Sequence, residues 1–177
     1  MGRLVPEKGV HYLIEAFRKV KTDKKLVIAG GTSGTDGYIR RLKELAKEDD
    51  RIVFTGFVQG QTLEELYSNA YVYILPSDVE GMPLSLLEAM SYGNCCLVSS
   101  IPECTEVVED QAVVFEKSSV SALRDAVQKL CDEPETVAGY KAAARAFICD
   151  KYNWDEATKK TLELYDESLI DQQVPVP

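Results

Sequence analysis

Residues 76–90, PSDVEGMPLSLLEAM, follow directly on AYVYIL, a run of strand-forming residues at 70–75. The chain breaks at Pro76, loops through Gly81 and enters a helix near Pro83, whose missing N–H costs nothing in a first helical turn. The N–H groups that open a helix have no intrahelical partner and carry the positive end of the helix dipole. This strand–loop–helix unit therefore predicts an anion site, of the kind used most often for phosphate.

Two carboxylates frame the predicted anion site, Glu80 in the loop and Glu88 inside the helix. If the helix starts at Pro83, Glu88 lies about 7–8 Å along it, from five residues at about 1.5 Å each. Carboxylates do not bind phosphate, but they accept hydrogen bonds from hydroxyl groups on either side of one. A nucleotide sugar has hydroxyls that flank an anionic centre in this way. The alternative is that both glutamates are ordinary surface residues.

Short apolar runs alternate with helical stripes along the chain, which predicts a parallel sheet covered by helices on both faces. The first predicted strand ends at Leu4 and reads as the tail of a strand that began upstream; the others are residues 25–29, 51–55, 71–75, 95–99 and 112–115. Three helices follow the last strand. We therefore predict an α/β, doubly wound Rossmann-like domain of about six strands over residues 1–177, with extra C-terminal helices. Its ligand should lie beyond the carboxyl ends of the strands.

Composition narrows the classes of function. The 177 residues are 45% hydrophobic, enough for a sizeable core, and carry a formal net charge of −9. That charge argues against a nucleic-acid partner and against docking on anionic lipid. No apolar run approaches the roughly 20 residues needed to span a bilayer. Five cysteines, odd in number and without a CxxC pair, favour reduced thiols in a cytoplasmic protein over disulfides or a zinc site.

Glu80 and Glu88, with seven residues between them in EGMPLSLLEAM, resemble the E-x7-E motif of glycosyltransferase family 4. Four more segments resemble that family in the same order: GRLVPEKG at 2–9, VIAGG at 27–31, VFTGFV at 53–58 and PECTEVV at 102–108. Each motif alone is weak, but the ordered set of five is specific. The resemblance covers nearly the whole chain, yet only the C-terminal, donor-binding half of the family's two-domain GT-B fold.

The resemblance implies a retaining glycosyltransferase of hexosyl type, which moves a sugar from a nucleotide-diphosphate sugar to an acceptor. It implies that Glu80, the candidate catalytic residue, contacts the donor sugar and that Glu88 contacts the ribose. Backbone N–H groups of Gly81 and Met82 are then expected to hold oxygens of the donor sugar.

The resemblance also assigns residues to the donor diphosphate. The expected ligands are the cations of Arg3 and Lys8 and the backbone N–H groups of Leu84 and Ser85. Arginine offers bidentate geometry to phosphate, and lysine acts as a point charge. Such cations stabilise the charge that develops on a departing nucleoside diphosphate.

Three segments depart from the family pattern. Gly30 and Gly31 retain only part of a Gly-rich donor loop. Residues 99–101 replace a Gly-Gly turn that commonly precedes the PECTEVV-like segment. A Gly-containing loop near residue 110 is shortened, and the role of the nearby Glu106 is therefore left open.

The resemblance covers only one of the two domains of the enzyme that it implies. In the GT-B fold the acceptor site comes from an N-terminal domain, so this chain is expected to be a fragment that is inactive alone. Any peripheral membrane association is expected to run through that absent domain.

The implied enzyme needs no metal or other cofactor. A rival interpretation makes Asp78-Val79-Glu80 an acidic metal clamp, like the DxD motif of the other major glycosyltransferase fold. Three other functions compete: a non-catalytic nucleotide-sugar-binding module, a nucleotide-sugar epimerase of the same fold and a phospho-receiver. The receiver would need an acidic residue at the end of its third strand, where this chain has Thr55-Gly56.

Overall fold

Six short strands, all paired in parallel, form the centre of the molecule. The computed structural model describes the backbone of residues 2–31 and 36–171. The strands are β1 Gly2–Arg3, β2 Leu26–Gly31, β3 Ile52–Gly56, β4 Tyr73–Leu75, β5 Cys96–Ser99 and β6 Val113–Phe115. They pair in the orders β1-β2-β3 and β4-β5-β6.

Helices connect and cover these strands. They are α1 Val10–Phe17, α2 Asp36–Ala46, α3 Gln61–Asn69, α4 Leu84–Ser91, α5 Pro102–Val108, α6 Val120–Asp132, α7 Pro134–Lys151 and α8 Trp154–Asp171. A short 3₁₀ helix, Pro6–Lys8, precedes α1. The predicted α/β architecture of six parallel strands with C-terminal helices is confirmed. The strands pair as two sets of three because β1 has only two residues and meets β2 at just two positions.

Two apolar clusters cover the two faces of the sheet formed by β4, β5 and β6. β5 is buried along its whole length and contributes to both, with Leu97 in one cluster and Val98 in the other. Alternate side chains of a strand point to opposite faces, so the clusters lie on either side of the β4–β6 sheet. The first contains Ile14 of α1 and Leu123 of α6, and the second contains Leu86 of α4. These packed layers leave the carboxyl ends of the strands and the loops after them as the place for a site.

Three of the five cysteines are core residues of these layers. All five are free thiols, and Cys95, Cys96 and Cys104 are buried. Burial raises the pKa of the Cys95 thiol to about 11 and that of Cys104 to about 12. Buried thiols of this kind are poor nucleophiles, because the reactive thiolate form is suppressed.

A backbone contact between Gly9 and Pro76 joins the start of α1 to the end of β4. Gly9 has φ of 64°, and an added Cβ would lie 2.0 Å from the carbonyl oxygen of Pro76. Beside it, the N–H of Asp78 donates to the carbonyl oxygen of Glu7 at 2.8 Å. Only glycine permits both the left-handed backbone and this close approach. The Lys-Gly pair of the sequence thus has a structural reason, since it brings the 3₁₀ helix against the loop that carries Glu80.

We expect Gly9→Ala to lower the free energy of unfolding by about 2–4 kcal/mol. Alanine strains the left-handed backbone, and its methyl group would collide with the oxygen of Pro76. Urea denaturation of the two proteins measures the difference. The control is Gly139→Ala in α7, where an added Cβ meets nothing within 4 Å; it should stabilise the protein by about 0.5–1 kcal/mol. Equal midpoints for the Gly9 variant and the parent would contradict the close approach.

Candidate functional site

Lys8 and Glu80 meet at the carboxyl ends of the strands. The Nζ atom of Lys8 lies 2.7 Å from Oε2 of Glu80, and the two side chains are 25% and 7% exposed. The hydroxyl of Ser77 donates to the other carboxylate oxygen of Glu80 at 2.6 Å. Ser77 is itself buried, and its carbonyl oxygen accepts from the hydroxyl of Ser99 at the end of β5. Two predicted site residues, 72 positions apart, are therefore in direct contact.

Asp78 fixes the loop that carries Glu80. Its carboxylate accepts a hydrogen bond from the hydroxyl of Tyr12 in α1 at 3.2 Å and one from Ser118 at 2.7 Å. Its own N–H donates to Glu7. Asp78 thus positions Glu80, a role that the sequence did not reveal.

Glu88 lies on the exposed side of α4 and has a buried partner. The hydroxyl of Tyr67 in α3 donates to Oε2 of Glu88 at 2.9 Å. The hydroxyl of Tyr73 donates to Oγ of Ser85 at 2.8 Å in the same region. Burial, with the neighbouring Tyr73 and the bond to Glu88, raises the pKa of Tyr67 far above its usual value. The phenol therefore stays protonated and keeps donating to Glu88 near neutral pH.

Sequence reasoning missed both tyrosines. A usable signal was present, because Tyr67 lies on the apolar stripe of α3 and a buried tyrosine hydroxyl usually needs a hydrogen-bond partner. The partner itself is on another helix and is visible only in the fold.

The amino end of α4 differs slightly from the prediction. Pro83 is the residue before the helix rather than its first residue, and its carbonyl oxygen accepts from the N–H of Leu86 at 2.8 Å. The N–H of Leu84 donates to the carbonyl oxygen of Met82 at 2.9 Å. In the described part of the chain, no protein acceptor takes the N–H of Ser85. Of the two donors assigned to the diphosphate, Ser85 is thus available as it stands, and Leu84 must first release Met82.

The N–H groups of Gly81 and Met82 also meet no protein acceptor among the residues that the structure describes. Both residues are exposed in the loop between β4 and α4. The loop therefore presents backbone donors beside Glu80, where the family resemblance leads us to expect the donor sugar.

Arg3 is the exposed last residue of β1. It and Lys8 line a small cavity of about 90 Å³ that also reaches Pro76. The structure thus places the two predicted phosphate cations on the same side of the molecule as Glu80.

Gly30 and Gly31 are strand residues and not a loop. They end β2 and pair with Gly2 and Arg3 of β1. A Cβ on Gly30 would lie 2.2 Å from the carbonyl oxygen of Gly2, so the first glycine is needed for strand pairing. Most of the loop after them, residues 32–35, lies outside the described residues.

Comparison with known proteins decides the family. Residues 1–147 match the model of the family described as glycosyl transferases group 1. The chain belongs to this family. It is 33% identical over 174 residues to an uncharacterized glycosyltransferase of Methanocaldococcus jannaschii, covering 93% of this chain and 43% of that protein. It is 27% identical over 171 residues to the O-antigen chain mannosyltransferase B of Escherichia coli, covering 93% of this chain and 44% of that protein.

Solved glycosyltransferase structures share the fold. The chain superposes on Anabaena Alr3699/HepE in complex with UDP and glucose with a TM-score of 0.86 at 18% sequence identity, over 94% of this chain and 47% of that one. The chain thus spans less than half the length of these relatives. The narrower assignment to glycosyltransferase family 4 stays a prediction.

Two further observations concern the described residues of this glycosyl transferase chain. They contain no group of three His, Cys, Asp or Glu side chains placed to hold a metal ion. No helix described here is both long enough and apolar enough to cross a membrane.

We expect Tyr67→Phe to lower the free energy of unfolding by about 0.5–1.5 kcal/mol, the range for one hydrogen bond. The control is Tyr92→Phe, because Tyr92 is half-exposed and stacks on Tyr67 with ring centroids 5.4 Å apart. Its change should stay within about 0.5 kcal/mol. Thermal and urea unfolding measure both. A Tyr67 variant as stable as the Tyr92 variant would show that the bond to Glu88 contributes nothing.

Proposed function

We propose that this chain is the donor-binding half of a retaining glycosyltransferase that transfers a sugar from a nucleotide-diphosphate sugar to an acceptor. The observation that carries the proposal is the contact of Lys8 with Glu80 beside the amino end of α4. A cation, a carboxylate and helix N–H donors are the groups that a sugar diphosphate requires. HepE, which shares the fold, is bound to UDP and glucose in its own structure.

The diphosphate is assigned to Arg3, Lys8 and the amino end of α4. Lys8 has three N–H donors, so one can stay on Glu80 while another meets a phosphate oxygen. The N–H of Ser85 and the helix dipole add to this attraction, and the N–H of Leu84 joins them once it leaves Met82. Together these groups stabilise the negative charge of the departing nucleoside diphosphate.

Glu80 is assigned to the donor sugar. Lys8 and Ser77 occupy one acceptor site on each of its two carboxylate oxygens. A carboxylate has about four such sites, so about two remain for sugar hydroxyls. Gly81 and Met82 offer N–H donors next to them. Holding the sugar at several points orients its anomeric carbon, and orientation is a large part of the rate enhancement in a bimolecular transfer.

Glu88 is assigned to the ribose, with Tyr67 holding its carboxylate. We propose that no metal takes part. Protein donors already engage both members of the rival acidic clamp, since Asp78 accepts from Tyr12 and Ser118 and Glu80 accepts from Lys8 and Ser77. A cation bound there would also face the positive end of α4.

The acceptor site is assigned to a further domain on the amino-terminal side. The chain covers 43–44% of the two sequence relatives described above, which supports this division. This half alone is therefore proposed to bind donor without transferring sugar, and any contact with a membrane would be made by the other domain.

We expect the chain to bind nucleoside diphosphates and not the matching nucleosides. The substitution Lys8→Met should weaken diphosphate binding by about 1.5–3 kcal/mol, the range for a charged hydrogen bond. Calorimetry with a panel of bases measures this, and the affinity should fall with salt. Lys19→Met, at an exposed lysine outside the site, is the control. Equal affinity for nucleoside and diphosphate, or equal loss in the two variants, would rule out the site.

We expect substitutions of Glu80 and Glu88 to weaken the binding of different ligands. Glu88→Gln is expected to weaken a nucleoside diphosphate by about 1–3 kcal/mol through the ribose. Glu80→Gln should leave the diphosphate unchanged or slightly tighter, because Lys8 loses a competing carboxylate, and should weaken only the intact sugar donor. Glu44→Gln, exposed on α2, is the control. Calorimetry with each ligand provides the comparison, and identical effects of the two site variants on both ligands would reject the assignment.

A further inference from the structure

Two residues other than glycine have a left-handed backbone in the described part of the chain, Glu109 with φ of 49° and Ser118 with φ of 59°. This backbone is strained in any residue with a Cβ, and it persists where the surrounding structure requires it. Glu109 follows the last residue of α5 and pairs with Lys151 at 2.6 Å, which gives it a local reason. Ser118 lies in the exposed loop between β6 and α6.

Glycine would suit this loop better than serine. The N–H of Ser119 donates to the carbonyl oxygen of Glu116 at 3.1 Å, so residues 116–119 form a turn with Ser118 in its third position. A turn with positive φ at that position normally has glycine or asparagine there. The side chain of Ser119 is used within the loop, because it accepts from the N–H of Ala122 and caps α6. The hydroxyl of Ser118 is used outside it.

That hydroxyl donates to Oδ1 of Asp78 at 2.7 Å, across 40 positions of sequence. Oδ2 of Asp78 accepts from the hydroxyl of Tyr12 at 3.2 Å, and the N–H of Asp78 donates to Glu7 at 2.8 Å. Three segments therefore hold Asp78: the 3₁₀ helix, α1 and the loop before α6. Glu80 follows Asp78 by two residues.

The backbone that carries Ser118 is itself fixed to the sheet. The N–H of Lys117 donates to Oγ of Ser100 at 3.0 Å. The N–H of Ser100, just after β5, donates to the carbonyl oxygen of Phe115 at the end of β6 at 2.9 Å. The hydroxyl of Ser118 thus connects the Asp78 carboxylate to the ends of two paired strands.

We propose that Ser118 is a positioning residue for Glu80. It holds Asp78, and through Asp78 it keeps residues 78–82 in the conformation that receives the sugar of the donor. A loop that is ordered before the ligand arrives loses less binding free energy to ordering. The inference rests on the proposed function. Its effect should be confined to the sugar, because the diphosphate is assigned to Arg3, Lys8 and the amino end of α4.

The test compares Ser118→Gly with Ser118→Ala, because both remove the hydroxyl but only glycine relieves the backbone. Ser121→Ala, at an exposed serine of α6, is the control. The alanine variant should lower Tm by about 2–4 °C, and the glycine variant should melt within about 2 °C of the parent.

Both Ser118 variants should nevertheless weaken donor binding alike. Calorimetry measures UDP-glucose, ADP-glucose and GDP-mannose, each beside its own nucleoside diphosphate. We expect the donor that the parent binds to lose about three- to tenfold in affinity, the range for one hydrogen bond, with the diphosphate unchanged. In an Asp78→Ala background, Ser118→Gly should add no further loss, because the serine acts through that carboxylate. Amide exchange at Asp78 should become at least about threefold faster in both Ser118 variants.

Donor affinity that falls with alanine but not with glycine would follow Tm alone and overturn the proposal. Equal losses for donor and diphosphate, or unchanged exchange at Asp78, would overturn it as well. If the parent binds none of the three donors and none of the diphosphates, the proposed function fails and this inference with it. If the parent binds a donor and both Ser118 variants bind it equally well, only this inference fails.

Discussion

The close approach of Gly9 to the carbonyl oxygen of Pro76 is the constraint on which the site depends. The two backbone segments belong to different halves of the fold, the first leading into α1 and the second leaving β4. The hydrogen bond from Asp78 to Glu7 holds them in register. Lys8 lies between these two contacts, so its side chain is directed to Glu80 by the main chain itself. A site built on backbone contacts of this kind needs little further ordering when a ligand arrives, and less of its binding free energy is lost to ordering.

The electrostatics of the site follow from the same geometry. Glu80 is almost fully buried, and a buried carboxylate is tolerated only with a partner of opposite charge and further hydrogen bonds. Lys8 and Ser77 supply these. Lys8 compensates the carboxylate of Glu80, and the proposed function assigns its other N–H groups to the diphosphate. This explains in physical terms why the Lys-Gly segment and the first glutamate lie in contact although they are far apart in sequence.

Much of this could be predicted from the sequence, because strands and helices depend on local patterns. All six strands lie within two residues of their predicted positions, and Glu80 and Glu88 fall in the predicted loop and helix. The features that the sequence did not predict depend on contacts between distant segments of the chain. The sequence suggests a loop at Gly30 because the close approach of the carbonyl oxygen of Gly2 is visible only in the fold. Tyr67 resembles an ordinary core residue in the sequence because the hydrogen bond from its hydroxyl to Glu88 joins two different helices. The N–H of Leu84 is taken by Met82 through a turn at Pro83 that helix patterns do not show.

The surface around the site bears on the proposal that another domain supplies the rest of the enzyme. Large apolar side chains are exposed along the carboxyl edge of the strands, Phe57 after β3 and Val79, Met82 and Leu84 after β4. Exposed apolar groups gathered beside a binding site are typical of a surface that another domain covers. On the proposed function, an uncovered surface would let water compete for the hydrogen bonds to the sugar and screen Lys8 and Arg3 from the diphosphate. Closing such a surface would exclude that water and strengthen the same charges. The residues assigned to the donor are therefore in place, and the proposal assigns to a second domain the wall that would exclude water during transfer.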